Sequence, residues 1–286
     1  MNTSEDTFTY VYAAARLDPH LRDAMTDLRG IHGAPVLYVT TATETGPDDT
    51  PPPLAFATSH VPAADFNESA LKHHFEDLEW LENVARAHHD VVQKLTAHTT
   101  VLPLRMATVY QDDDRARQAL TEQHTTLAER LTQLTAHTEF GVKIYLAPTT
   151  PPTDPDPDPA IDAGTASTPG KAYLQRRKAQ HNALEATYGQ AQQAAATIEA
   201  IASRYASQRV RHPAQRGALA GSAENVLNDA YLVPNEYAQR FKADLEEAAA
   251  AIDGVRVDVT GPWAPYSFAM SPRQDPAPNP AEGRSS

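Results

Sequence analysis

The 286-residue sequence predicts a two-domain α+β fold, and three observations lead there. β-branched and aromatic runs alternate with segments of helical periodicity in both halves of the chain. A proline- and aspartate-rich stretch interrupts that pattern near the middle. Hydrophobic residues make up 41% and charged residues 21%, enough apolar surface for cores, while no run approaches the ~20 apolar residues a membrane-spanning helix needs.

Phe8–Ala14 and Val36–Thr41 read as strands, separated by Asp18-Pro19, an N-cap followed by proline at the first helical position, and by the helical spacing of Leu21, Met25 and Leu28. Leu54–Ser59 reads as a third strand paired to the second. Leu71, Phe75, Leu78, Leu81, Ala85, His88, Val92 and Leu95 recur at steps of three and four, which predicts one amphipathic helix from about Asn67 to His98, with Asn67 or a neighbour as its cap. Alternation over Leu102–Tyr110 predicts a strand, and Asp112-Asp113-Asp114 then sit where a helix N-terminus favours negative charge. The helix that follows carries Leu120, Leu127, Leu131 and Leu134, and a strand over Glu139–Leu146 puts Phe140, Val142, Ile144 and Leu146 on one face. The sheet of this half is expected to be mostly antiparallel.

Of the 23 prolines, 15 fall in Thr43–Pro53, Pro148–Pro169 and Ser271–Ser286. The middle stretch, with four aspartates and no base, is expected to be an extended linker. The organisation read from this is an N-terminal domain over residues 1–148, a linker over 149–170, a C-terminal domain over 171–270 and a tail over 271–286. The tail has no large apolar side chain after Met270 and is expected to be disordered. Beyond the linker, Lys171 to about Arg209 is rich in Ala, Gln, Glu and Arg and predicts a long helix. Asn225–Val233 and Val255–Val259 read as strands around a helix from Asn235 to Ala251 that stops at Asp253-Gly254.

The net charge is −13, with 11 Lys/Arg against 21 Asp/Glu in residues 1–148 and near neutrality after residue 170. Neither half supplies the cationic face that nucleic-acid binding requires. Cysteine is absent, which excludes disulfides, thiolate metal sites and Cys nucleophiles. The start, Met1-Asn2-Thr3-Ser4-Glu5-Asp6, lacks a signal-peptide pattern, so the cytoplasm is the expected compartment.

Twelve histidines raise a metal hypothesis, but the pairs His73-His74 and His88-His89 are adjacent, and adjacent helical side chains diverge by about 100 degrees. His73 and Asp77 do have a ligand-like step of four, but His88 sits within the apolar stripe and His89 beside it. Glu76, Asp77, Glu79 and Glu82 read as the wet face of the helix. There is no phosphate-binding glycine motif, since Gly217–Gly221 lacks the lysine, and no GxSxG elbow. Arg105 stands inside an otherwise apolar strand, where a guanidinium either reaches solvent or pairs internally. Trp263, Tyr266 and Phe268 follow the last strand in the segment TGPWAPYSFAM, where Pro262 and Pro265 favour a stiff extended chain. These rings either cap a core or dock a partner, as aromatic residues dominate contact hot spots.

Seven pieces in this order resemble the GvpL/GvpF family of gas vesicle proteins: YVYA from Tyr10, LKHHFEDLEWLENVARAHHDVV from Leu71, VLPLRMATVY from Val101, EFGVK from Glu139, YLQRR from Tyr173, VLNDAYLVP from Val226 and TGPWAPYSFA from Thr260. The likeness spans nearly the whole chain; Phe140 stands where Trp is expected and Met106 where Leu or Phe is usual. The resemblance implies an N-terminal α+β domain and a C-terminal domain of modified ferredoxin-like fold. It also implies a minor structural or assembly component, located at gas vesicles, that binds the hydrophobic shell protein and other accessory proteins, with no catalytic residues and no cofactor. The alternative is a cytoplasmic α+β enzyme or metal- or ligand-binding protein using the His and carboxylate residues of the first domain. Trp263, Tyr266, Phe268 and Arg105 are the candidate contact or structural residues.

Overall fold

The computed structural model describes residues 6–41, 52–146, 169–214 and 224–269. Residues 149–168 of the linker expected over 149–170 and the tail over 271–286 lie outside them. The chain divides into two compact units, one of residues 1–136 and 264–286 and one of residues 137–263.

In the first unit, β1 (Thr7–Arg16) is flanked by antiparallel β3 (Leu54–Pro62) and β4 (Val101–Pro103), with β2 (Leu37–Thr40) beyond β3 and the short β5 (Val109–Tyr110) also on β1. The expected antiparallel pairing of the second and third strands is present. Tyr10 to Ala14 are buried without interruption, because the sheet is covered on both faces. Tyr10, Tyr12 and Ala13 share a core with Val84, Val91 and Leu95 of α4 (Leu78–Thr96). Helix α5 (Asp113–Glu122) packs on β2 and β3, and α6 (His124–Leu134) packs on β4.

Three elements are shorter than their periodicity predicts. The expected helix from Asn67 to His98 breaks in two. Asn67 caps α3 (Glu68–His74) through the Ala70 N–H, and Asp77 then caps α4 by accepting from the Glu79 and Trp80 N–H groups. A second cap inside the apolar stripe restarts the helix on a new axis. The expected strand over Leu102–Tyr110 is interrupted, since Pro103 has no N–H to extend the ladder and Ala107 adopts φ 62°. The expected helix through Leu120 and Leu134 turns at Gln123, which lets both α5 and α6 bury their leucines. Helix α1 (Pro19–Ala24) has the expected Asp18 cap, and α2 (Ala63–Phe66) buries Phe66.

The second unit comprises β6 (His137–Leu146), α7 (Pro169–Ala202), β7 (Gln208–Arg211), β8 (Asn225–Pro234), α8 (Ala238–Ala250) and β9 (Val255–Trp263). Its strands run β7-β8-β6-β9, each antiparallel to its neighbour. Counted within the unit this is βαββαβ with order 2-3-1-4, the ferredoxin-like arrangement. That order corrects the boundary placed at residue 148. Strand β6 is central to the second sheet, paired on both sides, with Phe140, Val142 and Ile144 in one core with Ile198, Phe241 and Leu245. The proline- and aspartate-rich stretch therefore falls between two elements of one unit, and Pro169 and Gly170 already belong to α7. Composition alone does not distinguish an interdomain linker from a long internal connection.

Helix α7 ends at Ala202, not near Arg209, because Gln208–Arg211 pairs with β8 as the edge strand β7. Among the described residues its buried face is Ala191, Ala194, Ile198 and Ala202, and the three alanines at helical steps allow close approach to the sheet. The predicted end of the second unit at residue 270 also moves, since Ala264 onward belongs to the first unit. Gly261, at φ +122°, sits at a register shift between β6 and β9, where a Cβ would meet the Glu139 carbonyl at 2.8 Å. Only glycine fits there.

Candidate partner-binding surfaces

The structure separates the three aromatic residues that the sequence places in one stretch. Trp263 is the last residue of β9, paired with Glu139, its carbonyl accepting from Thr138 Oγ1 at 3.1 Å. β9 is an edge strand, and Trp263 is 38% exposed at its end. Tyr266 and Phe268 instead lie on α9 (Tyr266–Ala269), one helical turn that forms directly after Pro265 in place of the expected extended chain. Ala264 and Phe268 are buried, the Ala264 N–H donates to Gln93 Oε1 at 3.3 Å, and the Tyr266 ring stacks over His89 with centroids 6.3 Å apart. Arg105 is exposed, and its carbonyl closes a turn by accepting from the Thr108 N–H and hydroxyl. Of the two readings of that arginine, the structure has the one that reaches solvent.

The histidines serve packing and local pairing. His88 is buried, with Nδ1 2.9 Å from the Tyr10 hydroxyl, and burial pushes its pKa down to about 4, an effect the Leu104 carbonyl partly opposes. The Tyr10 hydroxyl also accepts the Ala107 N–H at 3.0 Å, and burial drives its own pKa upward. His73 and Asp77 do not share a helix face, because α3 ends at His74 and Asp77 is committed to capping α4. His60 Nε2 and Thr9 Oγ1 both contact Asp113 Oδ1, at 3.1 and 2.7 Å. Among the described residues no group of three or more His, Asp or Glu is placed to hold a metal.

In the second unit the buried carboxylate of Asp229 meets Arg209 at 2.8 Å and Arg211 at 3.2 Å, and Glu199 pairs with the same two guanidiniums. The Tyr231 hydroxyl donates to Asp229 at 3.3 Å, and burial first, then that carboxylate, pushes the phenol pKa up. These pairs fasten the edge strand β7 to β8 and α7; they leave no open carboxylate pair for acid–base chemistry.

What sequence periodicity missed is the set of large apolar side chains left outside the cores. Phe75 is 53% exposed, Leu78 79% and Leu174 65%. Phe75 and Leu78 were part of the apolar stripe, and the helix restart at Asp77 takes them off it. The signal was present: an Asp directly before the apolar-periodic Leu78 and Leu81, with Glu79 in the first turn, is a helix start.

A family model described as gas vesicle synthesis protein GvpL/GvpF matches residues 8–270. Gas vesicle protein L of Streptomyces sp. (strain CB03234) is 39% identical over 223 residues, 78% of this chain and 82% of the relative. Gas vesicle protein L2 of Halobacterium salinarum is 27% identical over 218 residues, 68% of this chain and 73% of the relative. The crystal structure of gas vesicle protein GvpF from Anabaena sp. PCC7120 superposes with TM-score 0.59 at 17% identity, covering 93% of this chain and 97% of that one. GvpF from Microcystis aeruginosa gives 0.58 at 18%, covering 92% and 99%. The two crystal structures establish the shared fold; the match over nearly the whole length and the 39% identity establish the kinship, and the chain belongs to the GvpL/GvpF family of gas vesicle proteins.

Proposed function

We propose that this protein is a minor structural or assembly component of gas vesicles, one that binds the hydrophobic shell protein and other accessory proteins in the cytoplasm and acts by binding, not by turnover. A subunit with a large apolar face must be kept from aggregating before it joins a wall, and an acidic partner supplies solubility. The observation that supports a contact role is Trp263, a large exposed ring at the end of an edge strand, whose outer backbone groups are placed for an added strand. Tyr266 and Phe268 hold the following segment in the first core and are support, not contact.

The test is co-expression with the shell protein and measurement of its soluble, co-purifying fraction. The wild-type chain is expected to retain the shell protein, and Trp263→Ala is expected to reduce retention at least about tenfold, the scale of a ~1.4 kcal/mol loss at a hot spot. A folded wild-type chain that neither retains nor solubilises the shell protein would overturn the reading.

A further inference from the structure

Two exposed patches on this chain are complementary in both polarity and charge. The first is the corner where α3 meets α4. Residues 75–82 read FEDLEWLE, with four carboxylates and no base, and the exposed Phe75 and Leu78 are each followed by an exposed carboxylate, Glu76 and Glu79. Asp77 is used as a cap and Glu82 pairs with Arg86, which leaves Glu76 and Glu79 as the carboxylates of the corner without either duty. The second is the beginning of α7. Residues 171–184 read KAYLQRRKAQHNAL, with four cationic side chains and no acid. Leu174, Arg177, Lys178 and His181 fall at steps of three and four on one helix face, and all four are exposed. His181 pairs with Glu185 at 3.3 Å, which leaves Leu174, Arg177 and Lys178 as an apolar residue beside two charges.

We infer that the occupant of the corner is the α7 start of a second copy of this chain. Leu174 of one copy would seat against Phe75 and Leu78 of the other, with Arg177 and Lys178 facing Glu76 and Glu79. The available charges match in number, two against two, in a chain whose overall charge of −13 opposes any less specific self-contact. Each copy carries both patches, so in a two-fold pair the same contact is made twice.

Sedimentation velocity of the full chain over a concentration series tests this. At about 0.1 M salt the wild type is expected to form a dimer, and at about 1 M, where the screening length falls from ~10 to ~3 Å, the dissociation constant is expected to rise at least about tenfold. The charge reversals Arg177→Glu/Lys178→Glu and Glu76→Lys/Glu79→Lys are each expected to abolish the dimer. Combining both pairs in one chain is expected to restore it, as is mixing the two variants. The substituted side chains are all exposed, and circular dichroism of each variant is the check that it folds like the wild type. A wild type that sediments as a monomer throughout, an Arg177→Glu/Lys178→Glu variant that associates like the wild type, or a combined variant that fails to regain the dimer would each overturn the inference.

Discussion

The two cores of this protein fix their irregular segments by different means. In the first unit, tyrosine hydroxyls reach out of the sheet to hold turns: the Tyr12 hydroxyl accepts the Ile31 N–H at 2.9 Å, and the Tyr10 hydroxyl accepts the Ala107 N–H. Those N–H groups lie in non-repetitive chain, where no ladder satisfies them, so a buried side chain must. In the second unit, backbone ladders and two helices satisfy most of the chain. Its core of Phe140, Val142, Ile144, Ile198, Tyr231, Phe241 and Leu245 is apolar except for the Tyr231 hydroxyl, which donates to Asp229, the buried charge that clasps the edge strand. A regular βαββαβ unit can leave its core to apolar packing; a unit whose sheet supports long turns needs polar groups inside.

The largest expected effect breaks the apolar side of that comparison. Phe241→Ala removes a fully buried ring that packs on Phe140 at 4.9 Å and is expected to cost about 3–5 kcal/mol. Hydrogen exchange should show the loss in β6 and β8. Equal loss in β1 and β3 would mean that the two cores melt as one and that the comparison does not hold.

Acid should act on the other side. An imidazole takes up its proton near 6.5 when unfolded and near 4 at buried His88, so between those values the unfolded chain holds the extra proton. Stability of the first unit is therefore full above pH 6.5 and falls as the pH drops towards 4, by about 3 kcal/mol in all. The two tryptophans divide the readout, with Trp80 in the first unit and Trp263 in the second. Denaturation followed at Trp80 should show this slope in the wild type and lose it in His88→Gln. The smallest effect is expected at Arg105, whose exposed side chain makes Arg105→Ala worth less than about 0.5 kcal/mol in a chemical denaturation curve. A larger loss would show that the guanidinium is engaged in the first core after all.

The elements were legible in the sequence wherever a single periodicity governed a segment, as in β1, β3, β8 and α8. Caps were legible too: Asp18 and Asn67 each accept the backbone N–H their positions predict, and the acidic run Asp112–Asp114 falls at the start of α5, where Asp112 is the cap. Failure came where two signals overlapped. Asp77 reads as the wet side of one long helix until its role as a second cap is weighed, and with it the exposure of Phe75 and Leu78. The boundary was missed because composition marks where chain is poor in core residues, whereas strand pairing decides which core a strand serves; nothing local to His137–Leu146 states that its partners are Asn225–Pro234 and Val255–Trp263. For the same reason Trp263, Tyr266 and Phe268 looked like one motif, although the junction between the units runs between the first of them and the other two.

The passage of the chain from the first unit to the second at residue 136, and back at residue 264, has a consequence for its biosynthesis. A ribosome delivers most of the first unit early but withholds Ala264, Tyr266 and Phe268 until the whole ferredoxin-like unit has been made. During that interval the nascent first core lacks its last buried pieces, and the inserted unit has every strand it needs. Translation order and completion order are therefore inverted: the second unit to be synthesised is the first that can be finished, and a chain truncated at Trp263 would leave the earlier-made core open.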